Sequence, residues 1–270
     1  MESNRFRALS PITDYRSLIT GSPSLTTTLI ALWVLAMISL PIMKWIWGPE
    51  IIPLGLTLGV LLQATAVFLT VRDSWGWPKT MGTAVTIAVL TLLVEWLGST
   101  TGFPFGSYSY TDLMQPQIAH VPVLIPFAWF MMLPAAWAVA RLMQAQLPGR
   151  WATNRWLYLL LAGLAFTAWD LFLDPQMVSW GLWVWHEPSG YFGIPWVNYV
   201  GWLGTAVLLT ALIRPKNLPA RPLLIIYTIT WFLETFGLLF FWGLVGPALG
   251  GGTVMGLFVW LGWRSVIGKQ

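Results

Sequence analysis

Four carboxylic acids, Glu95, Asp170, Asp174 and Glu234, lie inside apolar stretches long enough to cross a bilayer. No lysine or arginine shares those stretches. An ionisable group in hydrocarbon is costly and is read as functional by default, facing the bundle interior or a cavity. A carboxyl without a counter-ion in a low dielectric can hold its proton at neutral pH, which suits a general acid. Asp170 and Asp174 are one helical turn apart on the same face. They are expected to form the core pair, one carrying a proton and one ionised, titrating together. Glu95 and Glu234 would position water or tune that pair. Trp96, Trp169 and Trp231 adjoin the acids in sequence and would offer aromatic faces to a cation. Neighbouring helix positions point in different directions, so only some of the three can line one site. Asn198, Tyr108 and His186 are lesser candidates for holding water. The plainer reading is that each acid only ties helices together through hydrogen bonds, which is harder to sustain for four acids than for one.

Several chemistries are excluded by residue type. The chain has no cysteine and only two histidines, His120 and His186, both in loops. That leaves no thiolate site and too few histidines for a histidine-rich di-iron centre. Without a lysine inside a span, no retinal Schiff base can form. Asp170-Leu-Phe-Leu-Asp174 has the DxxxD spacing with which membrane prenyltransferases hold magnesium and diphosphate, but a second Asp-rich motif is missing. No metal or cofactor is expected. The glycines Gly55 and Gly59, and the run Gly250-Gly-Gly-Thr-Val-Met-Gly256, read as close helix packing.

These acids must be held by membrane helices. Of the 270 residues 57% are hydrophobic and only 9% charged, and the mean hydropathy is +0.69. A soluble domain is normally about one quarter charged; a chain this poor in charge could not cover itself in water. Spanning stretches fall at roughly 25–43, 51–71, 80–98, 122–141, 157–174, 193–213, 222–242 and 244–263. The fifth is short and the glycines interrupt the eighth. The expected fold is all-α, a polytopic bundle of about eight spans, with residues 1–24 a cytoplasmic segment and 25–264 a single transmembrane catalytic domain. The first 24 residues carry Arg5, Arg7 and Arg16 without an early apolar run, so an uncleaved first span is expected rather than a signal peptide.

Charge orients the spans. Thirteen of the 14 Lys and Arg fall on one side of the eight-span arrangement, and Lys44 alone falls on the other. Cytoplasmic loops are enriched in Lys and Arg, so both termini are expected in the cytoplasm. Counting about 1.5 Å per residue from the cytoplasmic start of each span puts Glu95 about 22 Å, Asp170 about 20 Å and Glu234 about 18 Å along. Three helices would then bring acids to a shared level in the outer half of the bilayer. Two long outer connections, 102–120 and 180–195, are rich in aromatics, glycine and proline and free of Lys and Arg. Such loops often carry function, although their Trp and Tyr can equally belong to an interfacial aromatic belt.

Five stretches occur together in order: Glu95-Trp-Leu-Gly98, Gly102-Phe-Pro-Phe-Gly-Ser-Tyr108, Val121-Pro-Val-Leu-Ile-Pro-Phe-Ala-Trp129, Asp170-Leu-Phe-Leu-Asp-Pro-Gln-Met177 and Gly190-Tyr-Phe-Gly-Ile-Pro-Trp-Val-Asn198. Over roughly residues 80–260 the chain resembles the CruF-type carotenoid 1,2-hydratases, an integral membrane family that includes haloarchaeal bisanhydrobacterioruberin hydratase. That resemblance implies a hydro-lyase of carotenoid biosynthesis in the cell membrane. It would add water to the terminal C1=C2 bond of an acyclic carotenoid end, such as that of lycopene or γ-carotene, without oxygen or a redox cofactor. Its partners would be the carotenoid in the bilayer, water and other enzymes of carotenoid biosynthesis, with no nucleic acid. Two other classes use the same features differently: a proton-coupled transporter of a lipid-like substrate, and a non-enzymatic binder of a hydrophobic isoprenoid.

Overall fold

A computed structural model describes residues 24–268; Arg5, Arg7, Arg16 and Lys269, and nearly all of the N-terminal segment, lie outside them. Among the described residues eight helices are long and apolar enough to cross a membrane. They are α1 (Leu25–Trp47), α2 (Ile52–Trp75, preceded by a 3-10 turn Pro49–Ile51), α3 (Trp77–Thr101), α4 (Leu124–Gln144), α5 (Arg155–Ser179), α6 (Trp196–Ile213), α7 (Ala220–Phe240) and α8 (Val245–Ile267). The all-α polytopic bundle expected from the sequence is the fold observed.

In hydrocarbon, apolarity does not sort inside from outside, so residue size and polarity do the sorting. On α3 the buried positions Thr80, Thr83, Ile87, Thr91, Glu95 and Gly98 form one stripe at helical spacing, while Met81, Val85, Val89, Leu93 and Trp96 face outward. The centre is α4, buried without interruption from Trp129 to Ala140 and packed against α2, α3, α5, α7 and α8. Its alanines at 135, 136, 138 and 140 let neighbours approach closely. By contrast α1 is peripheral and packs mainly on α2.

The glycine runs pack as expected. A Cβ on Gly55 would clash with Leu40 Cδ1, and one on Gly251 would come within 2.8 Å of Phe172. The eighth helix therefore runs through its glycines unbroken. The fifth is longer than its apolar stretch, because Pro175 is accommodated inside the helix, which continues to Ser179. Its start is capped by the Asn154 side chain, which accepts from Leu157 N–H at 3.0 Å.

The two long connections form more than loops. Strands β1 (Tyr108–Tyr110) and β4 (Trp183–Trp185) pair antiparallel, with Tyr108 opposite Trp185 and Tyr110 opposite Trp183. A second small ladder joins β2 (Gln117–Ile118) to β3 (Val121–Pro122). Side chains alternate across a strand. Tyr108, Tyr110, Trp183 and Trp185 therefore turn towards the bundle, and Ser109 and Val184 turn away. Phe105 wedges this ribbon down: a Cβ on Gly98 would meet it at 2.6 Å and one on Gly201 at 2.7 Å.

Candidate active site

Glu95 sits directly beneath the ribbon. Tyr108 Oη and Tyr110 Oη donate to its Oε2 at 2.7 and 2.8 Å, and Trp129 Nε1 donates to its Oε1 at 3.1 Å. The buried stripe of α3 supplies the acid, the inward face of β1 supplies both phenols, and α4 supplies the indole. Both phenols lie outside the helices. Burial, together with the neighbouring Glu95, pushes Tyr108 and Tyr110 well above the ordinary tyrosine range, so both remain neutral donors.

Asp170 and Asp174 are buried one turn apart on α5. The side-chain amide of Asn198 bridges them, donating to Asp170 Oδ2 at 2.9 Å and also to Asp174 Oδ2. Trp183 Nε1, on β4, donates to Asp174 Oδ1 at 2.8 Å. The other oxygen of Asp170, Oδ1, has no hydrogen-bond partner among the described residues. Asn198 can reach both acids because α6, at 18 residues or about 27 Å, is shorter than α5, at 25 residues or about 37 Å. Helix α6 thus begins alongside the acids instead of beyond them.

Two adjoining cavities follow. A polar one of about 30 Å³ is faced by Glu95, Asp174 and Asn198 under Tyr108, Tyr110 and Trp183. That is room for about two waters, at ~10–15 Å³ each. Stacked aromatics form its floor, with Trp129 and Trp202 centroids 4.7 Å apart. An apolar cavity of about 60 Å³ lies beside it, lined by α1, α2, α4, α5 and α7, with Trp169 and Glu234 in its wall. Leu173, Ile125, Ala128 and Trp183 line both.

The family model described as "Carotenoid biosynthesis protein" matches residues 55–258, which takes in Glu95, Asp170, Asp174 and Glu234 and both aromatic strands. The chain belongs to the carotenoid biosynthesis protein family. It is also 34% identical over 120 residues to the bisanhydrobacterioruberin hydratase of Haloarcula japonica, a stretch covering 43% of this chain and 39% of that relative. The chain therefore matches about two fifths of the length of that curated protein. No solved structure matches it.

In this family member the residues singled out from the sequence are only partly brought together. Glu95, Asp170, Asp174, Asn198 and Tyr108 form one constellation. The expected shared level does not gather all four acids: Glu234 faces the apolar cavity, with Gln176 beside it. Trp169 lines the apolar cavity, but Trp96 does not flank a site, because α3 turns it outward at 45% exposure, opposite Glu95. Trp231 is tied to α8, its Nε1 donating to Gly252 O at 2.8 Å. His186 does not line the cavity. It lies exposed on the outer side of the ribbon, its ring nitrogens 2.9 and 3.1 Å from the hydroxyls of Ser107 and Ser109. Residues the sequence reading missed include Tyr110, Trp129, Trp183 and Trp202. The alternation Tyr-Ser-Tyr and Trp-Val-Trp, a period-two pattern, was the available signal for the ribbon.

Proposed function

We propose that this family member is a carotenoid hydratase, adding water to the terminal C1=C2 bond of an acyclic carotenoid end by acid catalysis. The observation that carries the reading is the Asp170–Asn198–Asp174 bridge next to Glu95 on the wall of a water-sized cavity. The named activity of the Haloarcula japonica relative supports the reaction class.

A trisubstituted alkene accepts a proton at C2, so the developing charge rests on C1 as a tertiary cation. Asp174, the member of the pair that faces the cavity, delivers this proton; Asp170 behind it shares the pair's single proton with it, while the Asn198 amide donates to both. Two carboxylates this close in a low dielectric do not both ionise readily. Aromatic faces of Trp129, Trp183 and Trp202 stabilise the cation. Water attacks C1, and Glu95, already accepting three hydrogen bonds as a carboxylate does best, takes the proton that water releases. A proton passing back from Glu95 to the aspartate pair through the cavity water restores the starting state. The net change is one water added and nothing oxidised or reduced.

The apolar cavity would hold the methyl-bearing end of the substrate, with the polyene extending into the bilayer. The site would open towards the outer leaflet of the cell membrane, with both chain ends in the cytoplasm. Asp170→Asn and Asp174→Asn variants, expressed in a bacterium that makes acyclic carotenoids, test the assignment. Each should accumulate unhydrated substrate at normal protein levels, and near-normal conversion by either would remove that residue from the mechanism.

A further inference from the structure

At the end of the bundle away from the acids, a second hollow has no part in the proposed reaction. Where α4 ends, α5 begins and α6 ends, Arg141, Arg155, Arg214 and Lys216 line a cavity of about 220 Å³, with Asn154 and Tyr158 in its wall. No acidic side chain lines it. Among the described residues the one ion pair is Arg72–Asp73, elsewhere at the end of α2. Four like charges converging on one hollow repel unless an anion sits among them.

Three of these cations are held in place. The Arg141 guanidinium lies 4.1 Å over the Tyr158 ring, and its Nη1 donates to Gln144 Oε1 at 3.4 Å. Gln144 is buried, and its amide nitrogen is engaged by Trp151 O and Asn154 O at 3.0 and 2.6 Å, which turns its oxygen towards Arg141. Arg155 Nη2 and Arg214 Nε both donate to Ala211 O, at 3.5 and 3.3 Å. Arg214 occupies the left-handed position that ends α6, at φ 52°, where glycine or asparagine is more at ease. An arginine there places a guanidinium over the hollow at a backbone cost.

Planar guanidinium forks match phosphate oxygens, and basic pockets between membrane helices on the cytoplasmic side bind anionic headgroups. The surroundings favour a lipid over a free ion. Trp156 at the start of α5 is 75% exposed, and α5 and α6 present Leu160, Leu164, Leu208 and Leu212 to the hydrocarbon below. We propose that this hollow binds the phosphate of an anionic phospholipid headgroup, with the acyl chains lying along the exposed faces of α5 and α6.

The test uses the full chain in nanodiscs of phosphatidylcholine, with and without phosphatidylglycerol, reading the thermal unfolding midpoint, and native mass spectrometry of the protein released from them. Phosphatidylglycerol should raise the midpoint and leave one lipid bound. Lys216→Gln and Arg214→Gly should each weaken that binding about tenfold or more, the loss expected for one charge-assisted contact. Arg214→Gly should at the same time leave the midpoint in pure phosphatidylcholine unchanged or raised, which separates lost binding from damaged folding. Equal midpoints in the two lipids, or an unchanged phosphatidylglycerol response in both variants, would overturn the proposal. So would inorganic phosphate at millimolar concentration reproducing the whole effect, because the site would then take a free anion.

Discussion

Asn198 donates its side-chain amide to Asp170 at 2.9 Å, and the same nitrogen serves Asp174 one turn further along α5. One neutral residue at the start of a short helix thereby fixes two buried acids of a neighbouring helix in one geometry. Asn198→Leu removes both contacts and leaves the two carboxyls without their shared donor, with only Trp183 still donating to Asp174. Conversion should fall about 10²-fold or more, within the range general acid–base catalysis supplies. Asn198→Gln should restore part of it. Product per unit of membrane-inserted protein, by chromatography, checks both.

Asp174→Asn should cost about 10²–10⁴-fold in hydration and lose it more completely than Asp170→Asn, because Asp174 faces the polar cavity and Asp170 stands behind it. The reverse order in initial rates with detergent-solubilised enzyme would exchange their roles, and equal effects would contradict the distinction between them.

Glu95 carries three donors, from Tyr108, Tyr110 and Trp129. Glu95→Ala takes the carboxylate acceptor from all three donors, at about 1–3 kcal/mol for each group left unpaired, and should lower the unfolding midpoint as well as the rate. Glu95→Gln keeps an acceptor oxygen and should retain the fold while losing the rate. Thermal unfolding followed beside turnover separates the two effects.

The phenols make a prediction in pH. Burial and Glu95 raise both Tyr108 and Tyr110 above the free value of about 10. A phenol with a raised folded pKa contributes stability fully below the unfolded pKa, and loses it as pH rises through the folded value. The ribbon should therefore hold through neutral and mildly alkaline pH and loosen only above about 10. In tyrosinate absorbance, a Tyr108→Phe/Tyr110→Phe double variant should titrate like the unaltered chain up to that range. A loss of early-titrating signal in the variant would contradict the assignment.

Trp96 supplies a control. It adjoins Glu95 in sequence but is 45% exposed on the lipid face of α3, so Trp96→Leu should leave conversion nearly unchanged. Trp183→Phe, which deletes the donor to Asp174, should reduce it strongly.

The eight helices were legible because span length and scarcity of charge are properties of the chain itself, and the acids were legible because hydrocarbon makes a carboxyl conspicuous. What faced what was less so. Trp96 and Trp129 look equally apolar in the sequence, and only the polar stripe from Thr80 to Gly98 shows which side of α3 turns inward. The place of Glu234 depended on how α7 packs against α1, α2 and α4, which periodicity does not report. Pairing β1 with β4 joins residues more than 70 positions apart, a long-range match invisible in either loop alone although its alternation was present in both. Asn198 reaches the aspartates through the relative lengths of α5 and α6, and a register between helices is set by packing, not by local sequence.

The most direct measurement is the source of the added oxygen. The chain is co-expressed in a bacterium producing lycopene or γ-carotene, and the pigments are analysed by mass spectrometry after growth in water enriched in heavy oxygen. A product heavier than the substrate by one water, carrying the label from water, is the result predicted for acid-catalysed hydration. A product whose oxygen comes from labelled O2, or a carotenoid pool left unchanged by well-expressed protein, would contradict it.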